Sequence, residues 1–414
     1  MRLLILSYHY PPLNVTASQR AAAWVKYLST LGHDVSLVTF DWPGISKEPE
    51  GAQVYRLPLP TVPDHNHLPL PWRIPLVRTV ATLWAYLIGA IDYHTRPHER
   101  VMRNFLKTHL QANHYDLVLG IFSPHFHLRH AAQLQKAFQV PFVIDFRDLF
   151  NNRYAALDGA AVHMRRGILD RITLWHWKRW MTHAAGFITV SKPLHDVLAS
   201  WFNKPGITIL NGFEPAAMPP PQTDSARFTV LHSGTLYGTQ DLTLFMRAYQ
   251  QFAAGKSNCD LVFSGVTEPM KSLIQKAADA TGVTYLSYPR EAREDALQRL
   301  MRASVLFFPG HTALRGMYSS KIFEYLASGK PIILAPSDSD VLEALLLHQP
   351  GCSVHQSEAS ITAQLEAYYS AYQRSEPLYF SRELSNYTRE AQAKELSNWL
   401  NARLHSITHA KVPR

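Results

Sequence analysis

Ser319-Ser320-Lys321-Ile322-Phe323-Glu324-Tyr325-Leu326-Ala327-Ser328-Gly329-Lys330-Pro331 puts two hydroxyls, a cation and a carboxylate at the start of one short helical pattern. The serines are suited to cap the helix, Gly329 to end it in a left-handed conformation, and Pro331 to stop it before the apolar run Ile332-Ile333-Leu334-Ala335. The spacing predicts a helix of about two to three turns. Its first N–H groups have no partner inside the helix and carry the positive end of the dipole, so they suit phosphate oxygens, and Lys321 adds a full charge. Glu324 lies one turn further in, from where its carboxylate can reach back to ribose hydroxyls. Taken alone, the same residues also describe an ordinary capped amphipathic helix, with Ile322, Phe323 and Leu326 buried. The preceding segment decides between the readings: Val305-Leu306-Phe307-Phe308-Pro309 is strand-like and leads into a loop from Gly310 to Tyr318. The helix therefore starts at the carboxyl end of a parallel strand, where open α/β sheets bind ligands. A nucleoside diphosphate fits that position.

The alternation of strand and helix extends in both directions. In the second half, strands are expected at Phe228–His232, Asp260–Ser264, Val283–Leu286, Val305–Phe308 and Ile332–Ala335, with helices near 240–254, 268–281, 291–302, 320–328 and 339–347. The first of these strands runs into His232-Ser233-Gly234-Thr235-Leu236-Tyr237-Gly238-Thr239-Gln240-Asp241, a glycine-containing turn that lets backbone approach phosphate closely. A proline-rich linker at 215–222 precedes it. Upstream, Leu3–Leu6, Ala17–Leu31 and Val35–Phe40 form one βαβ unit, followed by strands at Asp116–Phe122, Pro141–Phe146, Gly186–Val190 and Ile207–Leu210. The first turn lacks G-x-G-x-x-G, so a dinucleotide cofactor is not expected there. The fold class expected is α/β, two doubly wound halves facing a shared cleft, with domains at 1–200 and 201–384 and a terminal helical segment at 385–414.

The quoted stretch resembles the donor-binding signature of family 4 glycosyltransferases, retaining enzymes that use nucleotide-sugar donors and adopt the two-domain GT-B fold. The resemblance runs through nearly the whole chain. It implies ribose binding by Glu324, the second of two glutamates in the common signature; the first falls at Gly316 and is missing here. A subgroup with Ser-Lys-x-x-Glu-Tyr-x-Ala-x-Gly is closer. Family cations expected after the first glycine of the 232–241 turn are replaced by Thr235 and Thr239-Gln240, which leaves Lys321 and Arg315 to neutralise the leaving diphosphate. The donor-side residues implied are Gly234, Thr235, Arg315, Ser319, Ser320, Lys321 and Glu324. On the acceptor side the resemblance points to the loop holding Asn14 and Val15 and to Arg20, which either contacts phosphate or is a surface helix arginine. It also implies that the terminal helix packs back on the N-terminal domain.

Val143-Ile144-Asp145-Phe146-Arg147-Asp148-Leu149 ends a strand with three charges in four residues. Asp145 and Arg147 either form a structural ion pair or face the cleft, and the segment resembles the family's Asp-x-Arg-Asp motif, which implies contact with acceptor or sugar hydroxyls through Asp145, Arg147 and Asp148. Ser123-Pro124-His125-Phe126-His127 forms a second strand-to-helix turn, in which one histidine caps the turn and the other can share a proton with a hydroxyl or leaving phosphate. His125 is the preferred candidate.

The 414 residues are 46% hydrophobic, enough for large cores, and the two cysteines are too few for a disulfide framework or zinc site. Residues 1–200 hold 21 Lys and Arg against 13 Asp and Glu, while the rest hold 20 against 19, so the first half carries the positive field. Arg165-Arg166-Gly167-Ile168-Leu169-Asp170-Arg171-Ile172-Thr173-Leu174-Trp175-His176-Trp177-Lys178-Arg179-Trp180-Met181 interleaves cations with tryptophans, and reads either as a helix at an anionic membrane surface or as a core-packed helix with a solvated basic face. Leu68–Ile91 adds apolar surface to the same half. No run reaches the roughly 20 apolar residues of a membrane span, the apolar run at the start is too short for a signal peptide, and no nucleic-acid motif appears.

The expectation is therefore a retaining, hexose-transferring enzyme without cofactor or metal, since no Asp-x-Asp precedes the donor site. Its partners would be a nucleotide-sugar and a glycan or lipid-linked acceptor. It would work in the cytoplasm, peripheral on the inner face of the membrane, in cell-surface polysaccharide synthesis. A GT-B-like sugar-nucleotide epimerase and a catalytically degenerate scaffold that binds a partner are the alternatives.

Overall fold

The computed structural model describes residues 1–13, 15–45, 47–60, 75–91, 95–149, 167–220, 226–238, 240–311, 316 and 318–410, without the side chains of 75–78 and 408–410. The described residues up to Leu210, with those from Arg389 onward, form one compact unit, and Asn211–Thr388 form a second.

In unit 1 the elements run β1 (Arg2–Leu6), α1 (Thr16–Thr30), β2 (Asp34–Phe40), β3 (Ala52–Leu57), α2 (Pro75–Leu87), α3 (Arg96–Ala112), β4 (Leu117–Phe122), α4 (Phe126–Phe138), β5 (Phe142–Phe146), α5 (Ile168–Met181), β6 (Gly186–Thr189), α6 (Lys192–Phe202) and β7 (Gly206–Thr208). The seven strands form one parallel sheet in the order β3-β2-β1-β4-β5-β6-β7. β4 and β5 are buried on both faces, which is why LVLGIF and FVIDF show no polar alternation. Because β7 belongs to this sheet, unit 1 extends through Leu210, ten residues past the boundary expected at 200.

In unit 2 follow β8 (Phe228–Ser233), α7 (Thr243–Ala253), β9 (Cys259–Val266), α8 (Glu268–Thr281), β10 (Leu286–Pro289), α9 (Arg293–Arg302), β11 (Val305–Phe308), α10 (Lys321–Ala327), β12 (Ile332–Leu334), α11 (Val341–Leu346), β13 (Cys352–Val354) and α12 (Glu358–Gln373). Its sheet is also parallel, ordered β10-β9-β8-β11-β12-β13. β10 lies three residues later than expected. Gly282, at φ +71°, caps α8, and the chain needs the next residues to reach its register on β9, where Leu286 pairs with Val262. The last helix, α13 (Arg389–Ala410), returns to unit 1 and buries Ala393, Leu396 and Leu400 in the core built by Leu3, Ile5, Trp24, Leu28 and Leu117.

Both sheets are Rossmann-like, and each reverses its strand order once, between β1 and β4 and between β8 and β11. The carboxyl ends of those strand pairs are the topological switch points where such sheets take ligands.

Candidate functional site

At the switch point of unit 2, β8 ends at Ser233 and turns at Gly234, whose φ of +139° is closed to ordinary side chains. Tyr325, in the middle of α10, fastens this turn: its hydroxyl accepts from the Ser233 amide at 2.6 Å and donates to the Ser233 carbonyl at 3.1 Å. The clasp brings the start of α10 against the glycine. A Cβ at position 234 would lie 3.3 Å from Lys321 Cγ, so the lysine stem rests where the missing side chain would be.

Glu324 follows one turn later and is 5% exposed. Its Oε1 accepts from Arg293 Nη2 at 2.9 Å, and its Oε2 meets Lys321 Nζ at 3.4 Å. Burial pushes the Glu324 pKa up, and the two cations more than offset this, so the carboxyl titrates below its ordinary range and is ionised at neutral pH. Arg293 was not among the sequence candidates. It stands in the first turn of α9, 31 residues before its partner, and nothing local marks it.

Gly234, Lys321 and Glu324 are thus brought together as expected, and the other donor-side candidates separate. Ser320 makes no side-chain capping bond; it adopts helical dihedrals itself, so its oxygen is not presented to the following amides as an extended N-cap residue would present it. Ser319 Oγ accepts from the Lys321 amide instead, at 3.3 Å. Thr235 is exposed on the turn. Gln240, at a place where the family has a cation, is a structural lock: its Nε2 donates to the Pro309 carbonyl at 2.6 Å and its Oε1 accepts from the Tyr237 amide at 2.9 Å. Gly316 has φ +72° and donates its amide to Asp340 Oδ2. Arg315 and Thr239 lie outside the described residues.

The far end of α10 is held as firmly. Arg382 donates to the carbonyls of Leu326, Lys330 and Pro350 at 2.9, 2.8 and 2.8 Å, and so ties the end of the helix to the chain after it. Gly329, at φ +72°, lets the Tyr379 ring sit where a Cβ would be only 2.1 Å from it. Gly329→Ala should therefore lower unfolding stability by about 1–3 kcal/mol, through left-handed strain and displacement of the ring. A urea midpoint equal to wild type would show that this turn does not hold the helix.

In unit 1 the expected acceptor-side cluster divides. Asp145 is 0% exposed: Arg20 Nε and Nη2 donate to its two oxygens at 2.8 and 3.1 Å, and Trp24 Nε1 donates at 2.9 Å. Arg20, 2% exposed, also donates to the carbonyls of Ile209 and Leu210 at 3.1 and 3.0 Å. Both residues point inward and are spent on each other, which corrects the reading of Asp145 as catalytic and of Arg20 as a phosphate ligand. The ion pair weighed for Asp145 does exist, with Arg20 in place of Arg147. Arg147 and Asp148 are half-buried just beyond β5, and Arg147 Nε donates to the Phe122 carbonyl at 3.3 Å.

His125 sits at the start of α4 and accepts from Trp177 Nε1 at its Nδ1, 3.0 Å away, so the neutral ring carries its proton on Nε2 and acts there as a donor. His127 is fully buried, its Nδ1 bonded to the Ile121 carbonyl at 2.6 Å, and burial lowers its pKa to about 3. The sequence missed His9, after β1, whose pKa burial and then the nearby Arg147 charge lower to about 4. His9, His125, Arg147 and Asp148 are therefore among the polar groups that the described residues place just beyond β1, β4 and β5. Val15 is the extended residue before α1, and Asn14 lies outside the described residues. Among the described residues no group of His, Cys, Asp and Glu is placed to hold a metal ion, and no helix is long and apolar enough to cross a membrane.

No protein-family model matches the sequence, and neither does any curated protein. Solved structures do resemble it. The Anabaena protein Alr3699/HepE in complex with UDP-glucose is similar at TM-score 0.59 and 12% identity, over 97% of this chain and all of that one. The lipopolysaccharide outer core galactosyltransferase WaaB is similar at 0.52 and 10%, over 97% and 100%. A Listeria monocytogenes protein provisionally assigned as a UDP-N-acetylglucosamine 2-epimerase is similar at 0.53 and 9%, over 98% of each chain. At these identities the likeness is one of fold: the chain has the GT-B architecture of two Rossmann-like α/β units.

Proposed function

We propose that the chain is a glycosyltransferase that takes a sugar from a nucleoside diphosphate donor held at the carboxyl end of the unit 2 sheet. The observation that carries the reading is one buried carboxylate, Glu324, clamped between Arg293 and Lys321 beside the Gly234 turn. An ionised carboxylate has lone pairs beyond those given to the two cations, and these suit vicinal ribose hydroxyls. Lys321 and Arg293 keep part of their side chains at the surface and supply the charge that a diphosphate needs. As the bond from anomeric carbon to phosphate oxygen breaks, the departing diphosphate keeps the electron pair, and both cations stabilise it. Arg293 thus fills part of the deficit left by Thr235 and Gln240.

His125, through Nε2–H, and Arg147 and Asp148 are assigned to hold acceptor or sugar hydroxyls in unit 1. The finer reading rests on the sequence resemblance: a family 4 type, retaining transfer of a hexose without metal, to a glycan or lipid-linked acceptor, in cell-surface polysaccharide synthesis. It also places the protein at the cytoplasmic face of a membrane. The folds shared with a UDP-glucose complex and a galactosyltransferase support a nucleotide-sugar donor, and the Listeria protein's fold keeps an epimerase as the second reading.

Calorimetric titration with UDP and GDP, followed by nucleotide-sugar turnover with and without membrane extract, separates these. The transferase binds one of the two and releases it only when acceptor is present. Sugar interconversion without acceptor would establish the epimerase, and binding of neither nucleotide would leave a scaffold.

A further inference from the structure

The sequence reads 165–181 either as a helix at an anionic membrane surface or as a core-packed helix with a solvated basic face, and the structure divides the stretch between burial and exposure. Trp177 is wholly buried, with its N–H on His125, and Trp180 is half-buried, while Arg165 and Arg166 lie outside the described residues. Of the tryptophans on α5 only Trp175 stands out, at 55% exposure, on a stripe with Ile168, Arg171, Lys178 and Arg179. The larger apolar surface belongs to α2. Val80, Leu83, Trp84 and Leu87, with Ile88 just past its end, recur at the spacing of one helix face, and all five are exposed, Trp84 at 57%.

The two helices are joined. His176 of α5 donates through Nε2 to the last-turn carbonyls of α2, 2.8 Å from Tyr86 O and 3.2 Å from Leu87 O. Gly89, at φ +73°, turns the chain where a Cβ would lie 2.9 Å from the Trp180 ring. Trp180 and His176 thus buttress the end of α2 from beneath. Charge on the pair is one-sided: α2 and α5 carry Arg78, Arg171, Lys178 and Arg179 against a single acid, Asp170. Arg179 lies over the exposed Trp175 ring, 5.6 Å from its centroid, and Arg96 over Trp84 at 5.9 Å.

We propose that α2, supported by α5, is the surface by which the protein docks on an anionic lipid bilayer, with Val80, Leu83, Trp84, Leu87 and Ile88 entering at headgroup depth and Arg171, Lys178 and Arg179 meeting lipid phosphates. Large apolar side chains beside cations, with one acid among them, match the layered chemistry of a bilayer edge, apolar below and anionic above. A soluble partner would instead need a complementary apolar face. The inference deepens the reading above, since it names the surface from which a lipid-linked acceptor would be reached.

The test is flotation of the full chain with vesicles of phosphatidylcholine, with and without phosphatidylglycerol, comparing wild type, Leu83→Glu/Leu87→Glu and Arg171→Glu/Lys178→Glu. All four positions are exposed, so both variants should fold; circular dichroism and UDP titration check this. Wild type should bind anionic vesicles at least tenfold more than neutral ones, and each variant should lose tenfold or more while keeping its nucleotide affinity. Equal partitioning of wild type and both variants overturns the proposal, as does a change from dimer to monomer in sedimentation with no vesicle binding by any form. Vesicle binding with neither UDP nor GDP bound would remove the transferase reading and leave the docking surface standing.

Discussion

Asp145→Ala should destabilise the protein by about 3–5 kcal/mol, the usual consequence of removing one partner from a buried ion pair. The change leaves the Arg20 guanidinium, 2% exposed, without its counter-charge and the Trp24 N–H without its acceptor. Two carbonyl contacts, to Ile209 and Leu210, remain and do not neutralise it. These groups join α1, β5 and the chain after β7, so the loss falls on the core of the unit 1 sheet. Urea denaturation reads this as a large fall in midpoint. A catalytic aspartate would behave in the opposite way, with an unchanged midpoint and lost turnover, and that outcome would return Asp145 to the candidate site. The pair Arg20→Met/Asp145→Leu isolates the cause: by removing both charges it should recover most of the lost stability, because the penalty lies in the uncompensated ion.

This buried pair also shows where the sequence is legible and where it stops being so. The parallel strands could be read because β1 and β4 are apolar runs, β5 is one interrupted only by Asp145, and β8 has a Phe-Thr-Val-Leu stretch that leads into a glycine turn, all local signals. Gly329 and Pro331 ended α10 where expected for the same reason. β3 and β13 were missed because edge strands with half-buried faces lack that run. The start of α7 moved to Thr243 because Gln240 and Asp241 are used before the helix begins, Gln240 in a bridge to His311 and Asp241 in accepting the Thr243 amide. Partnership between distant residues leaves no local trace. Asp145 in FVIDFRD gives no sign that its cation is Arg20, 125 positions earlier, and not its neighbour Arg147. Arg293 likewise resembles any helix-start arginine until the fold sets it on Glu324.

Glu324→Ala should weaken UDP binding about 100-fold, because the nucleoside loses two charge-assisted hydrogen bonds to its ribose while the phosphate-facing cations remain. Lys321 and Arg293 are each tied to the carboxylate in the free protein. Its removal raises the local positive charge by one and releases both side chains toward an anion. Inorganic pyrophosphate, which has no ribose, should then bind as well as before or better. This split is the signature of the proposed arrangement, and calorimetry with the two ligands measures it. A purely structural Glu324 would give another pattern: α10 would shift, the Tyr325 clasp on Ser233 would loosen, and both ligands would weaken together. An unchanged UDP dissociation constant would remove Glu324 from the site. Arg293→Ala completes the comparison, since it deletes a cation and keeps the carboxylate: pyrophosphate and UDP should both weaken, by about tenfold, one charge-assisted contact being lost from each. With opposite pyrophosphate responses to the two substitutions, Glu324 would be fixed as the sugar-facing group and Arg293 as the phosphate-facing one.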